Sequence, residues 1–162
     1  MGDLMIIKVK GGTANQKKRV ESVTKFCAKK LMPRMKNLEI TVHLKDLKKD
    51  DVYGYCTADP EGDATRGDRP RVFEIEIHNK LRLRKILETL CHEMVHAKQY
   101  ARGELYEGSR VNKHRWHGKW LDKDPDYWDQ PWEIEAHGRE CGLFVRWAEK
   151  EKLGKKKWTH DV

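Results

Sequence analysis

The sequence predicts an α+β domain with one small mixed β-sheet, and three observations carry that reading. Apolar residues recur at helical spacing over 15–31, 81–101 and 131–149. They alternate at strand spacing over 4–10, 38–44, 52–57 and 71–78. No apolar run approaches the roughly 18 residues that a membrane span needs. A chain of 162 residues is large enough for a modest core without disulfide staples. The expectation is one domain over 1–150 and a short basic tail over 151–162.

Taken in order, Leu4 to Lys10 alternates as a strand that Gly11-Gly12 ends. Val20, Val23, Phe26, Cys27 and Leu31 share one side of a helix over 15–31, with Pro33 beyond its end. Leu38, Ile40, Val42 and Leu44 share one face of the next strand, and Val52 to Thr57 reads as another. Residues 58–70 are rich in Asp, Gly and Pro and predict a mobile loop; Arg66-Gly67-Asp68 within it reads as turn chemistry. Arg71 to His78 sets Phe73, Ile75 and Ile77 against Glu74, Glu76 and His78. It leads straight into the next helix; an edge strand beside a cleft here could pair with an extended peptide, and its alternating glutamates fit an exposed face equally well. Leu81 to Ala101 carries an apolar stripe through Ile86, Leu87, Leu90, Met94 and Val95, stopped by Gly103. Residues 111–121 predict a short aromatic hairpin or loop. Pro131 to Glu149 predicts a last helix, entered through Asp129 as its cap. The 15–31 and 81–102 helices should pack on the sheet, with the 131–149 helix closing a site.

Composition narrows the function classes. A net charge of +8 favours acidic partners, nucleic acid among them, through a basic surface. Yet Lys and Arg are spread along the chain, as on solvated helix faces. Cys27, Cys56, Cys91 and Cys141 form no CxxC pair, so they are expected to be reduced and mostly buried in a cytoplasmic, monomeric protein. The apolar patch near the N-terminus is too short for a signal peptide.

The chemistry lies in His92-Glu93-Met94-Val95-His96. Histidines four apart share one helix face, which suits two positions of a tetrahedral zinc ion. Glu93 beside the first histidine is placed to act as base toward a water in an open position. A hydrolase is therefore expected, most naturally of peptide bonds. A third ligand is needed, and the start of the last helix offers Glu133. His137, one turn on, shares its face and can support Glu133 or the water. Glu135 points away and is a weaker candidate. Donors for a tetrahedral oxyanion are sought among Tyr127, His137, His114 and His117. Trp116, Trp120, Trp128 and Trp132 fall between the two metal-bearing helices and are split between cleft wall and core.

At these residues the chain resembles the zincin metallopeptidases, in the branch where HExxH is followed by a glutamate ligand on a later helix. Glu133-Ile134-Glu135-Ala136 fits the second motif of such families, with His137 where Asp or Asn usually stands. The resemblance extends to small phage-type SprT-like and ImmA/IrrE-like peptidases and covers about Phe73 to Phe144. It implies a minimal zincin fold: an N-terminal helix, an HExxH helix and a third-ligand helix around a small mixed sheet. It also implies a peptide or protein substrate. The SprT-like branch further implies DNA association and a three-histidine site, for which His117-Gly118-Lys119-Trp120 offers His117. A non-catalytic zinc module is the remaining alternative, and Glu93 argues against it.

Overall fold

The computed structural model describes residues 5–58, 69–108 and 113–161. Most of the expected 58–70 loop, with its Arg66-Gly67-Asp68 turn, lies outside them. The fold is mixed α+β, with three long helices and two small sheets.

Strand β1 (Ile6–Lys10) leads through Gly11-Gly12 into helix α1 (Ala14–Leu31). Thr13 starts that helix with a capping box: its hydroxyl accepts from the Gln16 backbone N–H (3.1 Å), and the Gln16 side chain accepts from the Thr13 backbone N–H (2.9 Å). Two of the orphan donors at the helix start are thereby satisfied. Strands β2 (Glu39–Lys45), β3 (Gly54–Ala58) and β4 (Val72–His78) complete the first sheet in the order β1-β2-β4-β3. The first three strands in that order run parallel, and β3 runs antiparallel to β4.

The alternation read from the sequence sets the layers. Ile40, Val42, Phe73, Ile75 and Ile77 are buried on one face, against Val20, Val23 and Cys27 of α1 and Ile86, Leu87, Leu90 and Met94 of helix α2 (Leu83–Ala101). The opposite face holds polar cross-strand pairs, His43 with Glu74 and Lys45 with Glu76. Those pairings correct one expectation. The 71–78 strand is not an edge: β4 is bonded to β2 on one side and β3 on the other. Its glutamates pair with His43 and Lys45 of β2, and the strand bordering the cleft is β3.

That border depends on Gly54. A Cβ there would lie 2.9 Å from both the Glu76 carbonyl oxygen and Thr89 Cγ2 of α2, so only glycine lets β3 lie this close to the helix. Gly103 stops α2 as expected. It takes φ +70°, its N–H bonds the Tyr100 carbonyl, and the next N–H, of Glu104, bonds the carbonyl of Gln99. That is the double closure of a Schellman cap.

A second sheet follows, with β5 (Leu105–Gly108), β6 (Lys113–Trp116) and β7 (Lys119–Trp120) antiparallel in that order. Helix α3 (Pro131–Lys150) then packs across α2. Pro131 occupies its first turn, but Gln130 is the N-cap and makes no side-chain cap bond. Asp129 belongs instead to a short 3-10 turn at 127–129, so the expected Asp129 cap does not form. Residues 151–161 fold back on the helices. Leu153 and Thr159 are buried, the Trp158 ring meets Phe144 and Trp147, and Arg84 donates to the Thr159 carbonyl (2.6 Å). No described helix is long and apolar enough to cross a membrane. The four cysteines are free, as expected, although only Cys27 and Cys91 are buried; Cys56 is half-buried and Cys141 exposed.

Candidate metal centre

Helix α2 is buried on nearly every side through its middle turns, and there it carries His92, Glu93 and His96, each at most 8% exposed. Burying three ionisable groups is costly unless they meet partners. The partner arrives from α3. Glu133, in the first turn of that helix, places Oε1 3.0 Å from His92 Nε2 and Oε2 3.2 Å from His96 Nε2. The two Nε2 atoms lie 3.2 Å apart. Two imidazole nitrogens and a carboxylate thus converge on one point, and this group could hold a metal ion.

The outer nitrogens show how the rings are set. Gln99 donates its amide N–H groups to the Trp132 carbonyl (3.0 Å) and to Glu135 Oε1 (2.9 Å). Both partners are acceptors only, so the Gln99 amide oxygen must be the atom facing His96 Nδ1 at 2.8 Å. His96 Nδ1 therefore carries the proton, and in the neutral ring Nε2 presents its lone pair to the point of convergence. Glu140 does the same for His92, with Oε2 3.0 Å from Nδ1. Two such nitrogens 3.2 Å apart cannot both present lone pairs unless a proton or a metal ion lies between them, and two imidazoles with a carboxylate are a donor set that suits a divalent metal.

Without metal, protons take that place. Burial alone would lower the His92 pKa, but hydrogen bonds with Glu133 and Glu140 outweigh it and lift the group to about 9. His96 also rises against its burial, because of Glu133. Glu133 and Glu140 are held below the ordinary carboxylate range despite burial, chiefly by the histidines they face. Glu93 moves the other way, upward, because burial outweighs the nearby imidazoles.

These residues line a cleft of about 720 Å³. Residues 51–56, leading into and along β3, form one wall; Tyr127, Trp128, Trp132, Glu133, His137 and Glu140 form another. Tyr127 Oη lies 3.1 Å from Glu133 Oε1 and 2.8 Å from His137 Nε2, while His137 Nδ1 lies 3.2 Å from Glu140 Oε1. His92, His137 and Glu140 form a second metal-capable group by proximity. It would use His92 through Nδ1, the nitrogen Glu140 already engages.

The other expected candidates fall elsewhere. Glu135 pairs with Lys98 Nζ (2.6 Å) and accepts from Gln99. It braces the helix pair and joins neither metal-capable group. His117 and Gly118 form the two-residue turn between β6 and β7, with φ of 48° and 80°. That left-handed pair is what a tight hairpin requires, and histidine tolerates it better than most residues. His117 lies against Trp116 and joins neither group among the described residues. His114 is held by Asp124 (2.6 Å) and stacks on Trp132; neither it nor His117 lines the main cleft. The tryptophans divide otherwise than expected: Trp132 is buried and lines the cleft, Trp128 is exposed and also lines it, and Trp116 and Trp120 belong to the small sheet, neither buried nor in the cleft.

Gln99 and Glu140 were missed from the sequence. The signals were spacings: Gln99 stands three residues after His96, and Glu140 stands seven after Glu133 on the same face of α3. No protein-family model matches the chain, and comparisons with curated proteins and with solved structures return no match.

Proposed function

We propose that this chain is a zinc-dependent peptidase of the zincin kind, with His92, His96 and Glu133 as ligands and Glu93 as general base. The single observation that carries the reading is the convergence of His92 Nε2, His96 Nε2 and the Glu133 carboxylate in an open cleft, with Glu93 on its wall. A structural metal site needs neither the cleft nor the neighbouring carboxylate. Zinc bound by these three side chains would polarise a substrate carbonyl and bring the pKa of a water toward about 7.

The protein's own groups divide the remaining work. Glu93 is buried and its pKa is raised, which suits a carboxylate that takes a proton from water and returns it to a leaving amine. Gln99 and Glu140 fix the two imidazoles, so the ligand geometry costs no reordering when metal arrives. Tyr127 and His137 line the cleft beside Glu133 and are the groups placed to donate to a developing oxyanion. The substrate class follows from β3. It ends the sheet and borders the cleft, so an extended peptide can add to it as a further strand.

The test is hydrolysis of a quenched fluorescent peptide library by zinc-loaded protein, with Glu93→Gln alongside. The expected result is cleavage by the parent and a loss of about 10²–10⁴-fold in the variant, with zinc content and melting temperature kept. Equal activity in Glu93→Gln would remove the proposed base.

A further inference from the structure

We infer that the end of the cleft at Glu107 is a subsite for the cationic side chain of a lysine or arginine in the bound peptide. This deepens the peptidase reading and rests on a peptide lying along β3, not on its cleavage. Charge is the starting point. In a chain of net charge +8, the described lining of the cleft carries five carboxylates, Asp51, Glu93, Glu107, Glu133 and Glu140, against one lysine, Lys85, and no arginine. Glu133 and Glu140 are answered by the histidines they face, and Glu93 is the proposed base. Lys85 lies over the Tyr53 ring at 5.2 Å, two turns before Glu93 on α2 and close in sequence to the Asp51 end of the wall. Glu107 stands at the other end.

The Glu107 carboxylate is held without being neutralised. Both of its contacts fall on Oε1, which accepts from Tyr100 Oη at 2.9 Å and lies 3.4 Å from His114 Nε2. Among the described residues Oε2 has no partner, and no lysine or arginine pairs with either oxygen. Burial and the Glu107 carboxylate push the Tyr100 hydroxyl well above its ordinary value, so Tyr100 stays a neutral donor. A carboxylate steadied by a neutral hydroxyl keeps its charge for a cation at its remaining oxygen. The Glu107 side chain is 61% exposed, so a peptide can reach it.

Strand β3 leads there. Gly54 abuts Thr89 of α2, and the Cys56 thiol, two residues on, is raised by burial and then by both Glu93 and Glu107. A peptide added along β3 from Gly54 onward therefore passes Glu93 and then Glu107. Tyr100 stands two turns after Glu93, about 10 Å along the helix, and an extended strand covers that in about three residues. The cation is thus expected about three residues from the attacked carbonyl. It is expected on one side only, because Lys85 at the other end repels a like charge.

The test uses zinc-loaded Glu93→Gln, chosen so that peptide is held without being cut. It is titrated by fluorescence anisotropy with labelled octapeptide pools, acetylated and amidated at their ends. One position at a time is fixed as lysine, arginine, glutamine or glutamate. At about 50 mM salt, lysine or arginine at the favoured position should bind about fivefold tighter than glutamine, an advantage that shrinks as salt rises. Adding Glu107→Gln should erase that preference, and adding Glu107→Lys should turn it toward glutamate. Thermal melts confirm folding, which an exposed position leaves intact. Pools that bind alike at every position, no binding by any pool, or a lysine preference that survives Glu107→Gln overturns the inference. Cleavage of the same pools by the parent is read separately by mass spectrometry. Preference without cleavage keeps the subsite and removes the peptidase reading, and cleavage without preference does the reverse.

Discussion

Helix α2 and the β6–β7 hairpin both present histidine in a short pattern, His92-x-x-x-His96 in one and His117-Gly118 in the other. In α2, each ring has its outer nitrogen engaged, His96 by Gln99 and His92 by Glu140, and its inner nitrogen turned toward Glu133. In the hairpin, His117 sits at φ 48° because the turn needs a left-handed residue, and its ring rests on Trp116. The two patterns look alike in the sequence. What separates them is convergence: Glu133 reaches across from α3 to both α2 rings, whereas His117 joins no such group among the described residues.

The strongest way to break that contrast is to remove one residue from each side. Glu133→Ala should lose zinc by more than the 10–100-fold typical of a supporting group, while His117→Ala should hold zinc as the parent does. Competition with a chromogenic chelator reads both. Tight zinc in Glu133→Ala together with loss in His117→Ala would transfer the third-ligand role to the hairpin.

Next in size come the residues that hold the rings. Gln99→Leu and Glu140→Gln should each weaken zinc about 10–100-fold without changing the ligand set. Equal affinity in both variants would show that the rings need no such help. A smaller effect is expected with pH. In the metal-free protein His92 keeps its proton up to about 9, against an ordinary value of 6.5, so zinc must displace it. Affinity should therefore keep climbing from pH 6.5 toward 9 rather than level off near 7. The same shift has a consequence for the metal-free fold. Its His92 contribution is complete below 6.5 and is lost as pH rises through 9. The contributions of Glu133 and Glu140, whose pKa values are lowered from 4.5, are complete above 4.5 and are lost in acid. Melting temperature without metal should thus fall as pH rises from about 6.5 toward 9, a flat profile being the contrary result. Least of all, His117→Asn should change stability by no more than about 0.5 kcal/mol, since asparagine also suits a left-handed turn position. A large loss would give His117 a task beyond the turn.

Much of this was legible from residue spacing. Phe73, Ile75 and Ile77 alternate because one face of β4 meets the helices, and Gly103 marks the end of α2 because its cap needs a positive φ. Glu133 was legible as a carboxylate near a helix start, the position from which it meets both imidazoles. The strand order was not: β3 and β4 are similar as isolated segments, and only the pairing of Glu74 and Glu76 with His43 and Lys45 reveals which is internal. Gln99 and Glu140 carried only a helical offset, since a supporting residue is defined by the ring it touches. The packing of Trp158 on Phe144 and Trp147 was hidden for a like reason. It belongs to a basic segment whose charges suggest solvent, while its one large ring does the packing.

The most direct measurement is zinc K-edge X-ray absorption on protein purified without an affinity tag and loaded with one equivalent of metal. The expected spectrum contains two imidazole nitrogens at about 2.0–2.1 Å and carboxylate and water oxygens at about 2.0–2.2 Å. A spectrum with three imidazoles, or protein that takes up no zinc at neutral pH, would contradict a centre built from His92, His96 and Glu133.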